Sequence, residues 1–195
     1  ITGDFLGNYS YRYGGVIYNQ ASSTGSNTSI GNITGDFIGN YAGYYGGVVY
    51  NCGDYGTVNI GNITGDFIGN YVMYSSSIAT YGGAIYNYGN YGSAIVGDIT
   101  GDFIGIYSYN TYSSSSYTAN GGAIYNYGYG SSSYLPKAII GDITGDFIGN
   151  YAYRSSNTAY GGAIYNYGYY GTTSIGDITG DFIGNYAKSG ASYSV

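Results

Sequence analysis

Apolar positions in this chain recur in short runs at every second residue. In "ITGDF" at 99–103, Ile99, Gly101 and Phe103 fall on one face of an extended segment, and Thr100 and Asp102 on the other. "TVNI" at 57–60 alternates in the same way, with Val58 and Ile60 on one side. "GGAIYN" at 82–87 supplies a third segment, read with Ile85 inward, Tyr86 outward and Asn87 at a corner. No 3.6-residue spacing appears, and Gly and β-branched residues outnumber good helix formers. The pattern therefore predicts strands and no helices.

The segments repeat. "ITGDF" begins at Ile1, Ile33, Ile63, Ile99, Ile143 and Ile178, at intervals of 30 to 44 residues. One glycine pair lies between successive copies: Gly14–Gly15, Gly46–Gly47, Gly82–Gly83, Gly121–Gly122 and Gly161–Gly162. Length varies in two places only, between "GNY" and the glycine pair and after "YNYG", so constant strands carry variable surface loops. Three strands and three corners make one triangular coil, and stacked coils bury the apolar face that one coil leaves open. The expected fold is an all-β, right-handed parallel β-solenoid with three strands per coil and about five coils, forming one domain over 1–195.

Stacking would align identical residues in columns. All six phenylalanines, Phe5, Phe37, Phe67, Phe103, Phe147 and Phe182, share one inner column. The repeat-start isoleucines form a second, and Ile17, Val49, Ile85, Ile124 and Ile164 a third. The glycine pair is expected where a side chain would clash or φ must be positive. The Asn of "YNYG" is expected to form a hydrogen-bonded ladder, with stacked Tyr columns outside.

Composition narrows the function classes. Gly contributes 38 residues and Tyr 32, His and Trp are absent, and charged residues make up 7% of the chain. The formal charge is −6, and the four cations, Arg12, Lys137, Arg154 and Lys188, are scattered. Nucleic-acid binding needs clustered cations, so that class is set aside. No apolar run reaches the ~18–20 residues of a membrane helix, which argues against membrane insertion. Cys52 is the single cysteine and has no internal disulfide partner. It reads as a small residue in a loop slot that carries Tyr88, Tyr127 and Tyr167 in later repeats. A chain of this kind without an initiator Met reads as a processed or excised piece.

The segments Gly14–Ile17, Gly46–Val49, Gly82–Ile85, Gly121–Ile124 and Gly161–Ile164 alternate with Phe5–Asn8, Phe37–Asn40, Phe67–Asn70, Phe147–Asn150 and Phe182–Asn185. This alternation of GGA(I/V) and FxxN resembles the repeats of the polymorphic outer membrane proteins and related autotransporter adhesins. The resemblance covers nearly the whole chain. It implies a pectin-lyase-like right-handed parallel β-helix and an extracellular or cell-surface location. Ile106 stands where the fourth unit should carry the Asn of FxxN, so a ladder of these asparagines is expected to break there.

Candidate chemistry is sparse. Nine of the ten acids fall in two columns: Asp4, Asp36, Asp66, Asp102, Asp146 and Asp181, and Asp98, Asp142 and Asp177, where earlier units carry Asn32 and Asn62. The pairs Asp98/Asp102, Asp142/Asp146 and Asp177/Asp181 are candidate oxygen ligands for Ca²⁺. The alternative, favoured because Ca²⁺ loops space their acids more densely, is a solvated column that discourages lateral strand pairing. The acid pairs are copies of one another, and no His stands ready as a base, so the reading is non-enzymatic. Tyr112, Tyr117, Tyr129, Tyr134, Tyr153, Tyr169 and Tyr170 lie in Tyr/Ser/Gly-rich stretches that would suit glycans or host surfaces. Asn8, Asn27, Asn32 and Asn62 fit the N-glycosylation pattern.

The chain starts on a repeat strand, and its last residues, 191–195, read as a degenerate strand. The expected partners are therefore other copies, head to tail, with Ile1 and Phe5 covering Ile178 and Phe182 of the preceding molecule. Two functions follow: a structural subunit of a surface or matrix filament, or an adhesin segment that binds glycans or host surfaces through its Tyr-rich loops.

Overall fold

A computed structural model describes residues 1–75, 78–112, 118–155 and 158–190. Its regular structure is short strands, with no helix among the described residues. The named strands pair in parallel, each with the equivalent strand of the coil before or after it. The repeat therefore builds a parallel β-solenoid of about five coils.

Each coil is divided more finely than the expected three strands. In the third coil the strands are Ile63–Thr64, Phe67–Ile68, Tyr71–Tyr74, Thr80–Tyr81, Ile85–Asn90 and Ser93–Val96. They belong to six different sheets. Glycine is the reason. Within "ITGDFIGNY" of the fourth coil, Gly101 has φ 146° and Gly105 φ 60°, conformations that end a strand. A Cβ on Gly101 would collide with the Gly65 carbonyl of the coil below. The alternation within the segment survives these bends: Ile99 and Phe103 are buried and Thr100 is exposed.

The inner columns stand in register. Phe5, Phe37, Phe67, Phe103, Phe147 and Phe182 pair successively, and their rings stack with centroids 4.6 to 4.8 Å apart. The Ile63, Ile99 and Ile143 column and the Val49, Ile85 and Ile124 column close the same core. Beside it, Gly46 turns the chain at φ 63°, and a Cβ on Gly47 would strike the Gly83 carbonyl. One glycine of the pair thus supplies the turn and the other the close approach.

Two asparagine ladders tie the coils together. Asn19, Asn51, Asn87, Asn126 and Asn166 pass side-chain amide hydrogen bonds of 2.8 to 2.9 Å along the stack. Asn87 also donates to the Ala94 carbonyl, at 3.2 Å. It lies buried inside the Ile85–Asn90 strand rather than at a corner between strands. In the second ladder the Asn40 side chain donates to Asn70 Oδ1 and to the Phe5 carbonyl. This ladder loses its side-chain rung at Ile106, which is buried in the core; the Ile106 N–H still donates to Asn150 Oδ1, at 3.0 Å.

Candidate functional site: the tyrosine seam

The tyrosine expected to point outward defines the most distinctive surface. Tyr86 does turn away from the Ile/Phe core, but only 4% of it is exposed. The next sheet lays its own tyrosines across it, so a second, aromatic layer forms outside the aliphatic one. Its backbone column is Tyr18, Tyr50, Tyr86, Tyr125 and Tyr165, with ring centroids 5.0 to 5.4 Å apart. Tyr13, Tyr45 and Tyr81 run beside it at 5.4 and 5.2 Å, and interleave with it where Tyr45 meets Tyr86 at 4.9 Å and Tyr81 meets Tyr125 at 4.5 Å. Tyr88, Tyr127 and Tyr167 form a third column at 5.4 and 5.5 Å. Away from the seam, Tyr9, Tyr41, Tyr71, Tyr107, Tyr151 and Tyr186 stack at 4.7 to 5.2 Å.

The spacing follows from the backbone. Strands about 4.8 Å apart leave identical side chains one ring thickness and a small offset from each other. The consequence is chemical. Inside a column both ring faces are taken by neighbours, so the seam offers ring edges and hydroxyls to the outside. The sequence does carry a signal for the seam: in four units a Tyr precedes the glycine pair and another follows five residues later, as at Tyr13/Tyr18, Tyr45/Tyr50, Tyr81/Tyr86 and Tyr160/Tyr165.

Burial sets the proton affinities. Loss of water around Tyr86 and Tyr125, with smaller contributions from neighbouring thiol and phenol groups, holds both phenols well above the usual value. Tyr127 is pushed up to about 12, first by burial and then by Tyr167. Burial pushes the Cys52 thiol up to about 11, which keeps it protonated and unreactive at neutral pH. Cys52 sits in the Val49–Asp54 strand, paired with Tyr88, and not in a loop. A groove of about 350 Å³ opens at this point, with Gln20, Cys52, Asp54 and Tyr88 among its walls.

The acid columns have a role that neither sequence reading held. Asp102 N–H donates to Asp66 Oδ1 at 2.9 Å, and Asp146 N–H to Asp102 Oδ1 at 2.8 Å. The second column repeats the device from Asn62 through Asp98 and Asp142 to Asp177. From Asp4 to Asp146 and from Asp98 to Asp142 the carboxylates thus hold the backbone of the following coil by charge-assisted bonds. Among the described residues no group of three or more His, Cys, Asp or Glu side chains is arranged to hold a metal ion.

The loop tyrosines separate into two groups. Tyr129 and Tyr169 lie on strands, stack at 5.5 Å, and are joined by Tyr170, whose ring stands edge-on to Tyr169 at 4.8 Å. Tyr134 caps Tyr91 and Tyr55 edge-on at 6.1 and 6.3 Å. Tyr153 is also on a strand, stacked on Tyr109 at 4.8 Å, on the sheet that leads to the exposed Tyr112. Tyr117 and the tail 191–195 lie outside the described residues.

Of the glycosylation candidates, Asn8, Asn27, Asn32 and Asn62 are all exposed. The Asn8 amide, however, donates to Asn40 Oδ1, and Asn62 Oδ1 accepts the Asp98 N–H. At the ends, Ile1 is exposed and Phe5 half-buried on Phe37, while Ile178 and Phe182 are 38% and 52% exposed.

No protein-family model, curated protein or solved structure matches this chain. The β-solenoid implied by the resemblance is present in the structure, whereas membership of the outer-membrane adhesin families has no match behind it. No helix among the described residues is long and apolar enough to cross a membrane.

Proposed function

We propose that this chain is a non-enzymatic structural subunit, a β-solenoid that continues its own stacking from copy to copy into an extracellular surface or matrix filament. One observation carries the reading: each coil is a template for the next. Within the molecule Ile lies on Ile and Phe on Phe at every junction. The last described coil presents Ile178, Phe182 and Ile183, all exposed, as the same surface that inner coils cover. A second molecule displaced along the axis would cover these residues with Ile1 and Phe5. Such a contact is heterologous and does not close on itself. The low charge density supports close approach of copies. A right-handed coil accords with the strong preference of parallel crossovers for that hand.

The test is electron microscopy and sedimentation of the purified chain over a range of concentrations. The expected result is unbranched filaments that grow with concentration, and their loss in Ile178→Lys with the circular dichroism of the monomer unchanged. Strictly monomeric behaviour at high concentration would sink the reading.

The second reading is an adhesin segment that binds glycans or host surfaces, in keeping with the resemblance of the motifs. The exposed group of Tyr134, Tyr169 and Tyr170 favours it. Tyr134→Ala with Tyr170→Ala should then abolish binding on a glycan array while leaving filament growth intact.

A further inference from the structure

The Tyr88 column stops short. Tyr167, Tyr127 and Tyr88 stack in succession, and the strand register then carries the column to Cys52 and Gln20. A thiol and an amide stand where rings would continue. Gln20 is also held back, because its side-chain oxygen accepts the Tyr18 hydroxyl. The face of Tyr88 opposite Tyr127 therefore looks onto the groove of about 350 Å³.

The surroundings of an occupied position show what the vacant one is shaped for. Three side-chain contacts of Tyr88 bear on the comparison. Its face lies on Tyr127 at 5.4 Å and an interplanar angle of 4°. Its edge meets Tyr86 at 5.6 Å. Its hydroxyl donates to Asn90 Oδ1 at 3.2 Å. One coil down, the register replaces each partner: the face becomes that of Tyr88, Tyr50 stands where Tyr86 stood, and Asp54 pairs with Asn90. Asp54 Oδ1 already accepts Asn90 Nδ2 at 2.8 Å, and a carboxylate has lone pairs for a second donor.

We propose that this slot binds a phenol-class small molecule, a planar ring bearing one hydroxyl, as the absent rung of the tyrosine column. The ring lies on the face of Tyr88 over Cys52, its edge rests against Tyr50, and its hydroxyl donates to Asp54. Asp54 makes the slot more selective than a plain aromatic cleft, because a charged acceptor rewards a hydroxyl donor and disfavours a purely apolar ring. A ligand of this size in an open slot should bind with a Kd on the order of 1 mM. The site does not depend on the filament reading, since it lies within one chain.

The probe is p-cresol, titrated into the full chain and followed by saturation-transfer NMR of the ligand. Saturable binding is expected for the wild type, about tenfold weaker binding for cyclohexanol, which lacks the aromatic face, and severalfold weaker p-cresol binding in Asp54→Ala. Cys52→Tyr should supply the rung itself and abolish binding. If that variant does not fold, Asp54→Ala replaces it: p-cresol binding should be severalfold weaker there, with the circular dichroism unchanged. No saturable binding at about 20 mM, about twentyfold above the expected Kd, would overturn the proposal. So would equal binding to folded Cys52→Tyr, equal binding of cyclohexanol, or p-cresol binding unchanged in Asp54→Ala.

Discussion

The phenylalanine column and the tyrosine seam share one spacing and differ in what encloses them. Phe67 and Phe103 stack at 4.6 Å and 3°, and Tyr50 and Tyr86 at 5.2 Å and 4°. The phenylalanines are enclosed by isoleucine columns and no coil omits one. The tyrosines are enclosed by other tyrosines, and their columns are broken by Gln20, Cys52 and Asn120. Stacking alone therefore does not demand an unbroken column. The core demands it because a missing ring there leaves a dry cavity, whereas a missing ring in the seam leaves a groove open to water.

The largest difference should appear in alkali. A phenol whose folded-state pKa lies above its unfolded value holds its proton more tightly when folded. Its contribution to stability is complete below the unfolded value of 10.0 and is lost as pH rises toward the folded one. Tyr86 and Tyr125 are raised well above that value and Tyr127 to about 12. The fold should therefore be lost cooperatively above pH 10.0, with tyrosinate absorbance at 295 nm rising together with the loss of strand circular dichroism. A smooth phenol titration near pH 10.0 with the fold intact would show that the seam is not closed.

Next in size is Phe103→Ala. Truncation of this fully buried ring should cost about 3–5 kcal/mol in denaturant unfolding, and hydrogen exchange should quicken in the coils on either side. Asn87→Ala should cost less, about 1–3 kcal/mol, because it leaves the Asn51 amide with one acceptor fewer and the Asn126 oxygen without its donor. Removing residues 114–116, which brings this segment to the length of its counterpart in the third unit, should change stability by less than about 1 kcal/mol. A deletion that proved costlier than Phe103→Ala would reverse the assignment of core and loop.

The sequence makes some of these features plain and conceals others. The Phe column is legible because phenylalanine occurs only in "DFIG" and "DFLG", one residue per coil. The Asn87 ladder is legible because Asn19, Asn51, Asn87, Asn126 and Asn166 each follow the Ile-Tyr or Val-Tyr pair after a glycine pair. The division of "ITGDFIGNY" into three short strands is not, because the bend at Gly101 depends on the carbonyl of Gly65 in another coil. Tyr86 misleads because inward-or-outward reasoning allows for one packed layer, and here the outward side is covered by a neighbouring sheet. The backbone hydrogen bonds of the acid columns are not legible, because the N–H that a carboxylate such as Asp66 accepts lies in another coil and only stacking brings it near. The slot at Cys52 combines both difficulties: the missing Tyr is visible in the repeat, but its meaning depends on Asp54 lying beside Asn90.

The register of coil on coil underlies every column described. Thr34, Thr64, Thr100, Thr144 and Thr179 are exposed and pair successively along the stack. Nitroxide labels on cysteines placed at Thr34 and at each of the others in turn, in a Cys52→Ala background, measure that register by electron spin resonance. The expected backbone separations rise by about 4.8 Å per coil, to roughly 10 Å at Thr100 and roughly 19 Å at Thr179. A Thr34–Thr179 separation shorter than Thr34–Thr100, or one that does not grow with coil number, would contradict the stacked solenoid.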